Sequence, residues 1–166
     1  MTKIKLKIRL IKEEEISSLR QLLIITYSSS FESVYPASWI KSCINNQTTE
    51  RLSNKIRNTH FYGAYDEEKL IGCAAIGSYY GKADESCLFS FCVAPNLQGQ
   101  GIGKALMNAI ECDEYFTRAN KIFCPSSIVA LPFYLKMGFN HCEDKLNYQD
   151  GSFLLELTKI KGKEKQ

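Results

Sequence analysis

Phe91-Cys92-Val93-Ala94-Pro95-Asn96-Leu97-Gln98-Gly99-Gln100-Gly101-Ile102-Gly103-Lys104-Ala105-Leu106-Met107 runs from an apolar segment through a glycine-rich turn into an amphipathic segment. The apolar run ends at Pro95, and glycines alternate with other residues at 99, 101 and 103. That order predicts a strand, a tight loop and a helix. A loop with so few side chains lets its backbone N–H groups approach a ligand closely. At a helix N-terminus those donors have no intrahelical partner, and the positive end of the dipole favours an anion. Lys104, just inside the helix, adds a full positive charge. The loop predicts a phosphate site.

Spacing narrows the kind of phosphate. A Walker loop needs Gly-x-x-x-x-Gly-Lys-Ser/Thr. With Gly103-Lys104 as its end, Gln98 stands where the first glycine belongs and Ala105 where a hydroxyl should hold magnesium, which disfavours nucleotide hydrolysis. The dinucleotide pattern Gly-x-Gly-x-x-Gly is compressed here to Gly99-x-Gly101-x-Gly103. Gln/Arg-x-x-Gly-x-Gly/Ala does fit, at Gln98, Gly101 and Gly103. This resembles the pyrophosphate-binding motif of the GCN5-related N-acetyltransferase (GNAT) superfamily, which binds acetyl-coenzyme A.

A second stretch, Ser127-Ile128-Val129-Ala130-Leu131-Pro132-Phe133-Tyr134-Leu135-Lys136-Met137-Gly138-Phe139, resembles the superfamily's Asn-x-x-Ala-x-x-Phe-Tyr-x-Lys-x-Gly-Phe helix. Leu88 to Pro95 looks like its central strand. The resemblance covers Phe61 to Lys159 and implies an α/β fold: a mixed, mostly antiparallel sheet splayed into a V and flanked by helices. It also implies that backbone groups of Phe91, Cys92 and Val93 pair with pantetheine and polarise the thioester carbonyl. Ser127 and Ala130 are implied cofactor contacts, and Tyr134 is the implied general acid that protonates the departing thiolate. One departure stands out. Seven residues before Tyr134 the family often has asparagine, and here Ser127 reaches less far.

The residues carry a reading beside the resemblance. Backbone amides from Gly99 through Gln100, Gly101, Ile102 and Gly103 to Lys104, helped by the Gln98 or Gln100 side chain, match a pyrophosphate's charge. An amide-rich arm pairs with a strand edge as a peptide does. Pro95, without an N–H, ends regular pairing there. Amine attack also calls for a base, and Glu85 with Asp84, at the start of the central strand, are the nearest carboxylates; a solvated turn is the plainer account of both. Asp113 and Glu114 are expected at the exposed end of the long helix. A covalent route through Cys92 is disfavoured, because a buried thiol without a basic neighbour is inert. Tyr35, Trp39 and Tyr79, with Tyr80 and Tyr148, are candidates for an aromatic wall around the acceptor. No acidic pocket stands out, which disfavours a polycationic acceptor.

Composition sets wider bounds. The chain has 166 residues, 45% hydrophobic and 23% charged, with a net charge of +3. That is enough for one core and too weakly basic to argue for nucleic acid. No segment approaches the ~20 apolar residues of a membrane span, and Met1 to Lys7 alternates where a signal peptide is continuous. Seven scattered cysteines without a Cys-x-x-Cys pair, and two histidines, give no support for a metal site. Free cysteines in apolar runs fit a reducing cytoplasm.

The sequence divides into a first strand (1–11), substrate-side helices (12–60), an acetyl-CoA-binding core (61–159) and a charged tail (160–166), all in one N-acetyltransferase domain. Glu13 to Glu15 open a helix carrying Ile16, Leu19, Leu22, Leu23 and Tyr27. A second helix starts near Pro36, and Thr48 or Thr49 caps a third. Phe61–Tyr65 and Leu70–Tyr79 form a hairpin, and Ser86–Val93 the central strand. One helix then runs from the glycine loop to before Asn120, followed by strand Lys121–Cys124, helix Val129–Met137, and closing strands Phe139–Leu146 and Phe153–Leu157. The expected function is transfer of acetyl from acetyl-CoA to a primary amine of a small molecule or peptide in a ternary complex, with no metal and no membrane partner. A homodimer fits the superfamily's habit. The alternative is a non-catalytic acyl-CoA-binding sensor.

Overall fold

Alternation of apolar side chains in Phe61–Ile76 produces a strand pair with two buried faces. In the computed structural model, which describes residues 3–144 and 148–159, Cys73 and Ala75 enter one core cluster, and Ala74 and Ile76 the other. Strands β1 (Leu6–Leu10), β2 (His60–Asp66), β3 (Lys69–Ser78) and β4 (Glu85–Val93) pair antiparallel in order. β5 (Lys121–Ser127) joins β4 in parallel, then pairs antiparallel with β7 (Ser152–Thr158), which carries β6 (Asn140–His141) at the far edge. Among the described residues the sheet has seven strands, and it is mixed and mostly antiparallel, as the family resemblance implies.

The sheet opens in its middle. The β4–β5 ladder runs only from Glu85↔Lys121 to Cys87↔Phe123. Beyond it β4 continues to Val93 while β5 follows β7. Two features keep the strands apart. In β4, Ser90 and Phe91 together face Ala74, a bulge in which Ser90 takes φ +51°. The extra residue reverses the side-chain alternation, so Phe89 packs with Cys92 on one face and Phe91 with Val93 on the other. In β5, Pro125 has no N–H to offer and stands on the stretch that has left β4, where proline is tolerated.

Helices cover both faces. α1 (Ile16–Ser30) and α3 (Thr49–Asn58) lay Leu19, Leu22, Leu23 and Leu52 against Phe61, Cys73, Ala75 and Cys92. Thr48 caps α3 by accepting from the Arg51 N–H at 3.2 Å, and Pro36 stands at the N-cap of α2 (Ala37–Asn45). On the other face α4 (Ile102–Glu111) buries Ile102, Leu106, Met107 and Ile110, each contributing roughly 1.5–3 kcal/mol. α5 (Glu114–Arg118) and α6 (Leu131–Lys136) complete that side.

Several expected boundaries are corrected. The single helix expected to run to Asn120 breaks at Cys112, because Asp113 turns inward and caps α5 by accepting from the Tyr115 N–H at 2.8 Å. Asp113 is only 5% exposed, contrary to its expected surface position. β5 runs on to Ser127, α6 starts two residues later than Val129, and the closing strand ends at His141 in a 3-10 turn, Cys142–Asp144. Residues 145–147 of that expected strand and the charged tail 160–166 lie outside the described residues.

Glu13–Glu15 form a 3-10 turn before α1 rather than its first turn. Glu15 is held by a two-pronged Arg9 pair at 2.8 and 2.9 Å and accepts from the Lys12 N–H and the Tyr65 hydroxyl. The Arg9 hydrogen bonds hold its carboxyl at about 2, against an ordinary 4.5. A carboxylate depressed in the fold stabilises it above the unfolded value, and that contribution fades as pH falls toward the folded value. Glu15→Gln is therefore expected to flatten the acid dependence of stability between pH 4.5 and 2, measured by urea unfolding. An unchanged dependence there would refute the assignment.

Candidate active site

Where β4 and β5 part, a cleft of about 690 Å³ opens. One wall is the α1–α2 side and the other the start of α4 together with α6. Its floor is the bulged end of β4, with Ser90, Phe91, Cys92 and Val93 in the lining. These are the residues whose edge lost its β5 partner when the ladder ended at Cys87. Along that edge the Val93 carbonyl accepts from the Gln98 amide at 3.1 Å, and the backbone before it has no β5 partner to exclude an extended ligand.

The glycine loop meets the cleft at the N-terminus of α4. Gly99 and Gly101 have φ +77° and +85°, which L side chains rarely adopt, and a Cβ added to either meets no atom within 4 Å. Conformation, not crowding, demands these glycines, and they leave open space before the amides. The first intrahelical bond runs from the Ala105 N–H to the Gly101 carbonyl, 3.0 Å. The amides of Ile102, Gly103 and Lys104 precede it and face outward. Gly103 serves packing instead, since a Cβ there would stand 3.3 Å from the Phe133 ring. This cradle fits a pyrophosphate by both shape and charge.

Gln98 lines the cleft, but its side-chain amide is engaged, donating to the Val93 carbonyl at 3.1 Å and the Ser30 hydroxyl at 3.3 Å. Gln100 stands outside the lining. Ser127 accepts from the Ala130 N–H at 3.0 Å, which closes the turn leading into α6. Both Ser127 and Ala130 border the cleft.

Tyr134 is 3% exposed and also borders it. Its backbone is pinned by the end of α6: Gly138, at φ +98°, donates to the Leu135 carbonyl, and the Phe139 N–H donates to the Tyr134 carbonyl, both 3.1 Å. This pairing is the Schellman arrangement, with Phe139 closing on the Tyr134 ring at 5.8 Å. Burial pushes the phenol well above its ordinary value, reinforced by the adjacent Cys124 thiol.

Other candidates fall elsewhere. Glu85 pairs with Lys82 at 2.9 Å at the closed end of the β4–β5 ladder and is not in the cleft lining. An extended strand carries it roughly 25 Å from Val93. Tyr79 is also outside, stacked on Phe123 at 4.3 Å. Tyr35 stands behind the wall: its hydroxyl donates to the Gly151 carbonyl at 2.5 Å and accepts from the Ile128 N–H at 2.8 Å, and its ring stacks on Trp39 at 3.9 Å. Trp39 is on the wall. The sequence reading missed Thr26, Tyr27, Ser30, Phe31, Asn46 and Gln47, all in the lining. The four-residue spacing of Tyr27, Phe31, Tyr35 and Trp39 was the available signal.

A basic side chain does stand in this region: the Lys55 ammonium donates to the bulge Ser90 hydroxyl at 3.4 Å, and burial lowers it from its ordinary value. It does not make a nucleophile of the Cys73 thiol, which is pushed up by its contact with Cys92 and by burial. Among the described residues no cluster of His, Cys, Asp and Glu is arranged to hold a metal, and no helix is long and apolar enough to cross a membrane.

The family model for acetyltransferase (GNAT) domains matches residues 14–160. The chain belongs to this family. Its GNAT fold is similar to that of PaiA N-acetyltransferase from Thermoplasma acidophilum in complex with coenzyme A, at 20% identity and a TM-score of 0.81, over 94% of this chain and all of that one. A GCN5-related N-acetyltransferase from Rhodopseudomonas palustris aligns at 13% identity and a TM-score of 0.77, over 96% and 99%. N-acetylglutamate synthase from Neisseria gonorrhoeae, complexed with coenzyme A and N-acetyl-glutamate, aligns at 19% and 0.68, over 95% of this GNAT chain and 36% of the synthase. No protein among the curated sequences matches.

Proposed function

We propose that this GNAT acetyltransferase moves an acetyl group from acetyl-CoA to a primary amine by direct attack in a ternary complex. The observation that carries the reading is convergence: a strand edge without a β5 partner, a helix N-terminus with open space before its amides, and the buried Tyr134 border one cleft. Amides Gly99 to Lys104 hold the pyrophosphate, with the Lys104 ammonium beside them. The β4 edge from Phe91 to Val93 pairs with pantetheine and presents its backbone donors to the thioester oxygen.

The amine lone pair forms the new C–N bond as the C–S bond breaks. Tyr134 gives its phenolic proton to the departing sulfur and regains one from solvent. The nitrogen releases its surplus proton to water. All seven cysteines are free thiols, which supports activity in a reducing cytoplasm. We read the whole chain as one acetyltransferase domain.

Saturating acetyl-CoA at about 100 times its Kd is expected to stabilise the fold by about 2.7 kcal/mol, a rise in Tm of about 5–10 °C. Gly101→Val forces a β-branched residue to φ +85° and should abolish most of that rise. Thermal scans with and without cofactor, beside thiol release over an amine panel, make the test. No shift in the unaltered protein would overturn cofactor binding; a shift without thiol release would leave a binding module in place of an enzyme.

A further inference from the structure

The α1–α2 wall of the cleft takes no part in the cofactor contacts proposed above. Tyr27 on α1 and Phe31, the residue that ends it, both line the cleft, four residues apart. α2 and the turn that extends it present Trp39, Cys43 and Gln47 at four-residue intervals. All are uncharged. Among the described lining residues there is no aspartate or glutamate, and the two cations, Lys104 and Lys136, stand on α4 and α6 across the sheet from α1.

The rings form a continuous wall. Tyr27 stacks on Phe31 at 5.3 Å, Phe31 meets Trp39 at 5.6 Å, and Trp39 stacks on Tyr35 at 3.9 Å. The Trp39 indole N–H donates to the Asp150 carbonyl at 3.1 Å, which holds its plane. Gln47 lies in the same lining, just past α2. It is 8% exposed, and its amide N–H donates to the Cys43 carbonyl at 3.3 Å. Its Oε1 is buried without a hydrogen-bond partner among the described residues. A buried amide oxygen left unpaired costs free energy until a donor reaches it.

We propose that this wall bounds the acceptor subsite, which takes a primary amine on an aromatic body with no second charged group, one N–H donated to Gln47 Oε1 while the nitrogen lone pair faces the thioester. The assignment rests on the acetyltransferase reading above. A polyamine would bring further ammonium groups to a wall without carboxylates. A free amino acid would bring a carboxylate to a wall whose neighbouring cations are already engaged, Arg20 with the Gln47 carbonyl at 2.9 Å and Lys55 with the Ser90 hydroxyl at 3.4 Å. Either charge would lose its water with no partner to replace it. The ring of an arylalkylamine loses little water and gains contacts along Phe31 and Trp39, and its one amine is met by the Gln47 oxygen.

The test compares kcat/KM for benzylamine, spermidine and L-glutamate with acetyl-CoA, alongside acetyl-CoA thermal shifts. Benzylamine is expected to exceed the other two by at least about tenfold. Gln47→Leu, close in volume, should raise the benzylamine KM by up to about tenfold while the acetyl-CoA KM holds. Gln47→Glu, which supplies the missing carboxylate, should improve spermidine relative to benzylamine. Preference for spermidine or L-glutamate, absence of benzylamine turnover despite a thermal shift, or an unmoved benzylamine KM in Gln47→Leu would each overturn the subsite alone. Absence of the acetyl-CoA shift would overturn the acetyltransferase reading together with it.

Discussion

Tyr134→Phe is expected to lower kcat for amine acetylation by roughly 10²–10⁴-fold, the usual reach of a positioned general acid. The acetyl-CoA thermal shift should persist, because the substitution removes a proton donor and leaves the glycine loop and the β4 edge untouched. The ring stays where it is, packed by Phe91, Phe133 and Phe139 and held by the Gly138 turn. Folding should change by about 1 kcal/mol or less, since the hydroxyl's protein neighbour is the weakly bonding Cys124 thiol. Steady-state kinetics with a good amine, paired with thermal scans, separate the two effects. A kcat within a few-fold of the parent would remove Tyr134 from the chemistry.

Asp113→Ala should cause the largest loss of stability. The buried carboxylate accepts from the Tyr62 hydroxyl at 2.6 Å and the Tyr115 N–H at 2.8 Å, and it stands 2.7 Å from His60 Nδ1. Alanine removes the α5 cap, about 1 kcal/mol, and strands partly buried donors, about 1–3 kcal/mol more. A total near 3 kcal/mol corresponds to a fall in Tm of about 6–12 °C. Asp113→Asn keeps an oxygen for the cap and should lose less. Because this network lies outside the cleft lining, kcat of the folded fraction should hold. Urea unfolding of both variants checks the order, and a loss below about 1 kcal/mol for alanine would show the network to be dispensable.

Asp113 also shows where sequence reading runs short. The amphipathic run after Gly101 looked continuous, and the Asp113-Glu114 start of a new helix was hidden inside it. Only the inward turn toward His60 and Tyr62, more than fifty residues earlier, explains why the helix breaks there. Glu85 stands at the start of the central strand, where it was expected, and is remote from the cleft for a similar reason. It is near the glycine loop in sequence, yet an extended strand separates it from Val93 by its own length. Gln47 carried no local signal, because an unpaired buried oxygen is a property of surroundings rather than of residue type.

The glycine turn, the α4 helix behind it and the Gly138 stop after Tyr134 were determined by the sequence alone. Each depends on neighbours a few residues away: a positive φ that glycine tolerates, a helical period, a capping bond. The parting of β4 from β5, the bulge that turns Phe91 to the opposite face, and the uncharged wall of Tyr27, Phe31 and Trp39 were decided by tertiary structure. They arise from register between distant strands and from α1 and α2 packing beside the opened sheet. No residue's own conformational preference encodes a contact with a segment that folding has yet to bring alongside.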